Sequence, residues 1–156
     1  AYGGYVIQLA KADGLKVLAD SNQDDESLLK DLGADIIISR DKNYVDQVRD
    51  HFPNGVDGLA DGALLNEKAI DAVRDGGFFT SIRGFKGLPQ RNINFSATWV
   101  TAYNCDKEKL DKIRQQVEDG LITLRVADVV DPDNAAEAHK RLEKGGTRGR
   151  MVIKWS

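Results

Sequence analysis

The sequence predicts an α/β protein built on a doubly wound parallel sheet, on three observations. Short β-branched runs alternate with segments of helical spacing along nearly the whole chain, the pattern of successive βαβ units. One run, Ile36-Ile37-Ile38, is apolar without interruption, as a strand covered on both faces requires. Glycines stand where helical segments should stop, at Gly14, Gly33, Gly76-Gly77, Gly120 and Gly145-Gly146, the usual punctuation of a helix carboxyl end.

The elements follow in order. Tyr5, Val6, Leu9 and Ala10 mark a helix stopped by Asp13-Gly14, and Leu15 to Ala19 reads as a strand ending at Asp20. Asp24 to Leu32 reads as a helix with Leu28, Leu29 and Leu32 facing in, followed by the isoleucine strand. Tyr44, Val45 and Val48 mark a third helix, and Pro53-Asn54-Gly55 a turn. Val56 to Leu59 is a strand running into Asp61-Gly62-Ala63. Leu65, Ala69, Ile70 and Val73 predict a helix ending at Gly76-Gly77, and Phe78 to Ile82 a strand leading into the loop from Arg83 to Gly87.

After Pro89 the pattern changes. Ile93, Phe95 and Ala97 alternate with Asn94 and Ser96, which predicts a strand with one wet face or an edge position. Leu110, Ile113 and Val117 share a helix face closed by Gly120. A strand from Val126 to Val130, a helix opened by Asp131-Pro132 and carrying Ala135, Ala138, His139 and Leu142, and a last alternation of Met151, Ile153 and Trp155 complete the chain. A doubly wound sheet opens with a central strand and a glycine-rich turn. Here Ala1-Tyr2-Gly3-Gly4 already stands at the helix, so the expected sheet lacks its first strand.

Composition narrows the function classes. A chain of 156 residues with 41% apolar and 30% charged residues suits one soluble domain. The net charge of −3, without a run of Lys or Arg, makes nucleic acid a poor partner. No apolar stretch approaches membrane-spanning length and no signal-peptide pattern is present. The lone Cys105 excludes an internal disulfide framework and a multi-cysteine zinc site, and it suits a cytoplasmic location.

Four stretches in order, GGYVIQLAK, KDLGADIII, VRDGGFFTSIRG and AAEAHKRLEKGGTRGRMVI, resemble the medium-chain dehydrogenase/reductase superfamily, in its zinc-free, quinone-oxidoreductase-like branch. The resemblance spans almost the whole chain and implies a Rossmann-like coenzyme domain over residues 1–103. Residues 104–156 would be a carboxyl-terminal α/β tail that packs on a catalytic domain absent from this sequence. It also implies NAD(H) or NADP(H) binding between the two parts, and a homodimer paired through the strand near Asn92–Val100.

Gly3 and Gly4 match the last glycines of the family motif. A helix tip without side chains lets a pyrophosphate reach free backbone N–H groups and the positive helix end; the plainer alternative is a tight or loose start. Asp20, with Ser21 beside it, closes the second strand where a dinucleotide fold places the acid that binds both ribose hydroxyls and repels a 2′-phosphate. The alternative is a strand-end helix cap. No Arg or Lys follows closely in sequence, which favours NAD, with NADP possible.

Gly62, Ala63, Arg83 and Gly84 sit at strand ends, where open α/β sheets bind ligands. By resemblance they would line a nicotinamide pocket, with Arg83 also readable as an exposed loop residue. Arg150 matches a family position that contacts coenzyme phosphates, with Arg148 its local competitor. His139 reads as a packed side chain rather than a base, and His51 as a helix-end residue. Trp99, Tyr103 and Phe95 form an expected aromatic cluster, at an interface or in the core.

The leading function is the coenzyme-binding portion of an oxidoreductase that moves a hydride to a carbonyl, quinone or enone; this portion alone is expected to be inactive. One alternative is a non-catalytic fragment or binding module that retains no nucleotide. The other is an S-adenosylmethionine-dependent methyltransferase, disfavoured because helices and strands keep alternating through Ile153.

Overall fold

The computed structural model describes residues 2–40 and 42–155. It opens with helix α1 (Tyr2–Ala12). Strand β1 (Leu18–Ser21), helix α2 (Glu26–Asp31) and strand β2 (Ile36–Ser39) follow. Helix α3 (Tyr44–His51) leads to strands β3 (Val56–Asp61), β4 (Val73–Ser81) and β5 (Asn94–Ala97). The chain then runs through helix α4 (Lys107–Glu118), strand β6 (Val126–Val130), helix α5 (Ala135–Lys144) and strand β7 (Arg150–Ile153).

Every strand pairing among the described residues is parallel. β1 pairs with β2, Leu18 opposite Ile36 and Ser21 opposite Ser39. β3, β4 and β5 form a second unit in that order, and β6 pairs with β7 in a third. β1 and β3 are not hydrogen-bonded to each other. The edges of two parallel units thus face one another where a doubly wound sheet carries its opening strand.

Three elements differ from the sequence expectation. The helix expected to run from Leu65 to Gly76-Gly77 is a 3-10 segment, Asn66–Ala72, and β4 begins at once with Val73. The two glycines belong to an irregularity inside β4. Val56 pairs with Val73, then Gly58 pairs with Phe78, so β4 carries the extra residues. A side chain on Gly77 would come within 2.6 Å of Val73 Cγ1 and 2.9 Å of the Asp57 carbonyl. The helix-stop reading failed because close strand approach also selects glycine. The helix expected from Asp24 is a 3-10 turn (Gln23–Asp25), capped by Asn22, before the short α2.

In α5 the residue that turns inward is Ala138, while His139 is exposed; one position on a helix rotates the side chain by about 100°. The aromatic cluster also forms elsewhere. Phe95 packs with Phe79 and Phe85, at centroid distances of 5.7 and 6.2 Å, while Trp99 and Tyr103 are exposed. In β5 the exposed and half-buried residues alternate, so one face is covered, and Phe95 lies on it.

The core lies between α3, the 3-10 segment and the inner face of β3–β5. Val48, Ala69, Ala72, Val73 and Phe79 are fully sealed, and Ile38, Leu59, Ile70 and Ile93 complete the cluster. Two arginines hold the 3-10 segment by its carbonyl groups. Arg49 donates through Nε and Nη2 to the Asp71 carbonyl at 2.9 and 2.7 Å. Arg91 donates to the Ile70 and Val73 carbonyls at 2.8 and 3.1 Å. The Ile70 carbonyl also accepts from the Val73 N–H, and the arginines tie the end of the 3-10 segment to the start of β4.

Candidate functional site

Between β1 and β3 opens a cleft of about 1190 Å³, bordered by α1, the end of β2 and the loops before β6 and β7. It runs the length of the strands. Its carboxyl-terminal end gathers Gly3, Gly4, Asp20, Ser21, Asp25, Arg40, Tyr44 and Arg148.

Three features of this end follow from the local fold. α1 carries no acidic residue in its first turn, and the first N–H groups of a helix have no intrahelical partner and lie at its positive end. Gly3 is exposed, and a Cβ built on it meets nothing within 4 Å, whereas one on Gly4 would touch Leu32 Cδ1 at 3.2 Å. Gly4 is thus explained by the packing of α1 on α2. Gly3 has no packing reason to lack a side chain.

β1 delivers Asp20 to the cleft, and β2, in parallel register beside it, delivers Arg40. Arg40 Nε donates to Asp20 Oδ2 at 2.7 Å, and the Arg40 backbone N–H donates to the Ser21 carbonyl at 2.8 Å. The Ser21 hydroxyl is spent on the Asn22 carbonyl at 2.6 Å. At the start of α3, burial pushes the Tyr44 phenol up to about 12, with the carboxylates of Asp20 and Asp61 adding to the rise.

The tail reaches the same end. Arg148 is ion-paired with Asp25, and this hydrogen bond is the main cause that holds the Asp25 carboxyl below its ordinary value. Gln8 is buried in α1. Its side-chain oxygen accepts from the Thr123 backbone N–H at 2.8 Å and from its hydroxyl at 3.0 Å.

The structure brings together only part of the expected set. Gly3, Gly4, Asp20 and Ser21 line the cleft; Gly62, Ala63, Arg83, Gly84 and Arg150 are not among its lining residues. The Tyr2 ring covers Gly62, leaving no room for a Cβ there. Asp61 is buried and organises the turn by accepting from the Ala63 and Asn66 N–H groups at 2.9 and 2.8 Å. Gly84 lies against the Trp99 ring, and Arg83 and Arg150 are exposed. Of the two tail arginines, Arg148 is the one at the cleft.

Sequence reasoning missed Arg40 and Tyr44. Arg40 lies twenty positions beyond Asp20, and only the parallel register of β1 and β2 makes them neighbours. A usable signal existed: Arg40 ends the strand that Ile36-Ile37-Ile38 announces. In the sequence, Tyr44 signals only a helix. The cleft residues fit an adenine dinucleotide: a helix start with an open glycine and no acidic side chain in its first turn for a pyrophosphate, and a strand-end carboxylate for a ribose diol. No group of three or more His, Cys, Asp or Glu among the described residues could hold a metal ion.

Comparison with known proteins identifies the family. A zinc-binding dehydrogenase family model matches residues 32–153. The chain is 27% identical to a zinc-type alcohol dehydrogenase-like protein of Staphylococcus epidermidis, over 97% of this chain and 51% of that protein. It is 32% identical to the 2-methylene-furan-3-one reductase of Solanum lycopersicum, over 97% of this chain and 37% of that protein.

Among solved structures, an NAD-dependent alcohol dehydrogenase superposes with a TM-score of 0.79 at 28% identity, covering 98% of this chain and 48% of that one. The quinone oxidoreductase of Coxiella burnetii superposes with a TM-score of 0.83 at 23% identity, covering 99% and 49%, a likeness of fold. The chain thus spans about half the length of the first of these relatives and of both structures. The family match sets aside the methyltransferase alternative. The chain belongs to the zinc-binding dehydrogenase family, and its place is the carboxyl-terminal, quinone-oxidoreductase-like portion of the medium-chain dehydrogenase/reductase superfamily.

Proposed function

We propose that this chain holds the nicotinamide dinucleotide of an oxidoreductase that reduces a carbonyl, quinone or enone. The observation that carries the reading is that Gly3 and Gly4, in the first turn of α1, and the Asp20 carboxylate line one cleft. In this reading Gly3 and Gly4 admit the pyrophosphate to the backbone donors, Asp20 accepts from the adenosine ribose, and Ser21 shapes the wall beside it. Arg148 closes the adenosine side, in place of Arg150. Gly62, Ala63, Arg83 and Gly84 border the nicotinamide end, once the Tyr2 ring moves off Gly62. The bound nicotinamide supplies the hydride, and the protein supplies position and polarity.

Residues 1–103 form the coenzyme-holding part and 104–156 the tail that meets a second domain. The relatives include an NADPH-dependent alkenal/one oxidoreductase of Arabidopsis thaliana, which supports the substrate class. The exposed edge of β5 supports pairing of two copies through the strand near Asn92–Val100; a sedimentation mass of one chain would count against it.

A second reading, a fragment that retains no nucleotide, draws on the unpaired edges of β1 and β3, whose backbone groups lack ladder partners. Titrating the chain with NADH and following nicotinamide fluorescence separates the two. Saturable binding that Gly3→Val weakens about tenfold or more supports the dinucleotide reading, since a branched side chain would stand in the path of the pyrophosphate. No binding at high-micromolar NADH supports the inert fragment.

A further inference from the structure

We infer that Arg40 is the residue that sets coenzyme choice, and that it gives this site a 2′-phosphate-accepting capacity which Asp20 alone would deny. The inference rests on the dinucleotide reading of the cleft and goes beyond it.

A strand-end carboxylate favours a free ribose diol and repels a 2′-phosphate. Asp20 is not a free carboxylate here. Arg40 Nε donates to its Oδ2 at 2.7 Å, and Arg40 Nη2 reaches its backbone carbonyl at the long distance of 3.4 Å. The pair is unequal in exposure: the Arg40 side chain is 57% exposed and that of Asp20 30%. The guanidinium is therefore the more exposed member of the pair, and both residues line the cleft.

A guanidinium carries five N–H donors in a planar fork, so one carboxylate does not exhaust it. A phosphate on the ribose 2′ position would meet this exposed fork, and the positive charge would offset the repulsion from Asp20. With a free 2′-hydroxyl, the same ion pair holds Asp20 in place as acceptor. Arg40 also lowers the Asp25 carboxyl by its charge, behind the hydrogen bond and charge of Arg148. Two guanidinium groups therefore serve two carboxylates at this end, and the local field is not the plain negative one that Asp20 suggests by itself. The chain should bind both coenzymes, with Arg40 governing the ratio.

The test compares NADH and NADPH affinities of the wild-type chain, Arg40→Gln, Arg40→Lys and Asp20→Asn by fluorescence titration. Thermal melts confirm that each variant is folded. Arg40→Gln is expected to weaken NADPH binding by roughly tenfold or more while NADH changes by less than about threefold, the loss of a charge-assisted contact. Arg40→Lys should fall between, because it keeps the charge and loses the fork. Asp20→Asn should shift the ratio toward NADPH. If Arg40→Gln leaves the NADPH to NADH ratio unchanged, or weakens both equally, Arg40 is a structural partner of Asp20 and the inference is wrong. If the wild-type chain binds neither coenzyme, the dinucleotide reading fails first and takes this inference with it.

Discussion

At the residue scale, each position of the cleft has either a packing duty or none, and the difference predicts what substitution does. A Cβ on Gly4 would press on Leu32, but one on Gly3 would meet nothing within 4 Å. A glycine inside a helix costs about 0.5–1 kcal/mol relative to alanine. Gly3→Ala should therefore raise the urea midpoint while reducing nucleotide affinity, and a variant gaining stability with affinity unchanged would remove Gly3 from the site. Tyr44 gives a second residue-scale test. An exposed tyrosine ionises near 10, and this phenol is held neutral to about 12. Its raised value means the stabilising contribution is intact below the unfolded value and declines as pH rises from about 10 to about 12. Tyr44→Phe should flatten that decline in urea titrations. It will not abolish it, because burial and Asp61 raise Tyr2 in the same direction.

At the scale of the element, β4 shows how one strand can look like the end of a helix. Its inner residues Val73, Phe79 and Ser81 are buried, whereas Phe78 on the opposite face is exposed. The bulge before Phe78 sets that alternation, and Gly77 permits it by letting β4 lie against the Asp57 carbonyl. Gly77→Ala needs backbone to move and should cost about 2 kcal/mol or more, in the range of overpacking. A midpoint equal to wild type would show that the two strands can separate freely there. β1 and β2 are tied differently: the Asp35 carboxylate accepts from the Val17 N–H at 2.6 Å and from Lys11 Nζ at 2.9 Å. This clasp joins the end of α1 to the start of β1 and lowers the Asp35 carboxyl.

At the scale of the whole molecule, stability is concentrated in one cluster. Phe79 is sealed in contact with Phe85 and Phe95, over Val73 and against α3 and the 3-10 segment. Phe79→Ala should cost about 3–5 kcal/mol, enough to unfold a marginal domain; chemical denaturation followed by circular dichroism would measure it, and a cost under about 1 kcal/mol would mean that this is not the core. α1 and the β6–β7 unit lie outside that cluster. Gln8 with Thr123, and Asp25 with Arg148, link the tail to the cleft wall, so the cleft is lined by residues from both ends of the sequence.

The sequence by itself determined the parallel α/β class, the order of the elements and the place of Asp20 and the glycine-bearing helix tip. Those readings rest on period, punctuation and strand ends, which are local. Tertiary structure alone decided that Arg40 stands against Asp20, that Arg148 rather than Arg150 reaches the cleft, and that Gly76-Gly77 bend a strand instead of ending a helix. Each depends on register between segments distant in sequence. A parallel ladder fixes register through contacts on two strands at once, and no single stretch of chain records it.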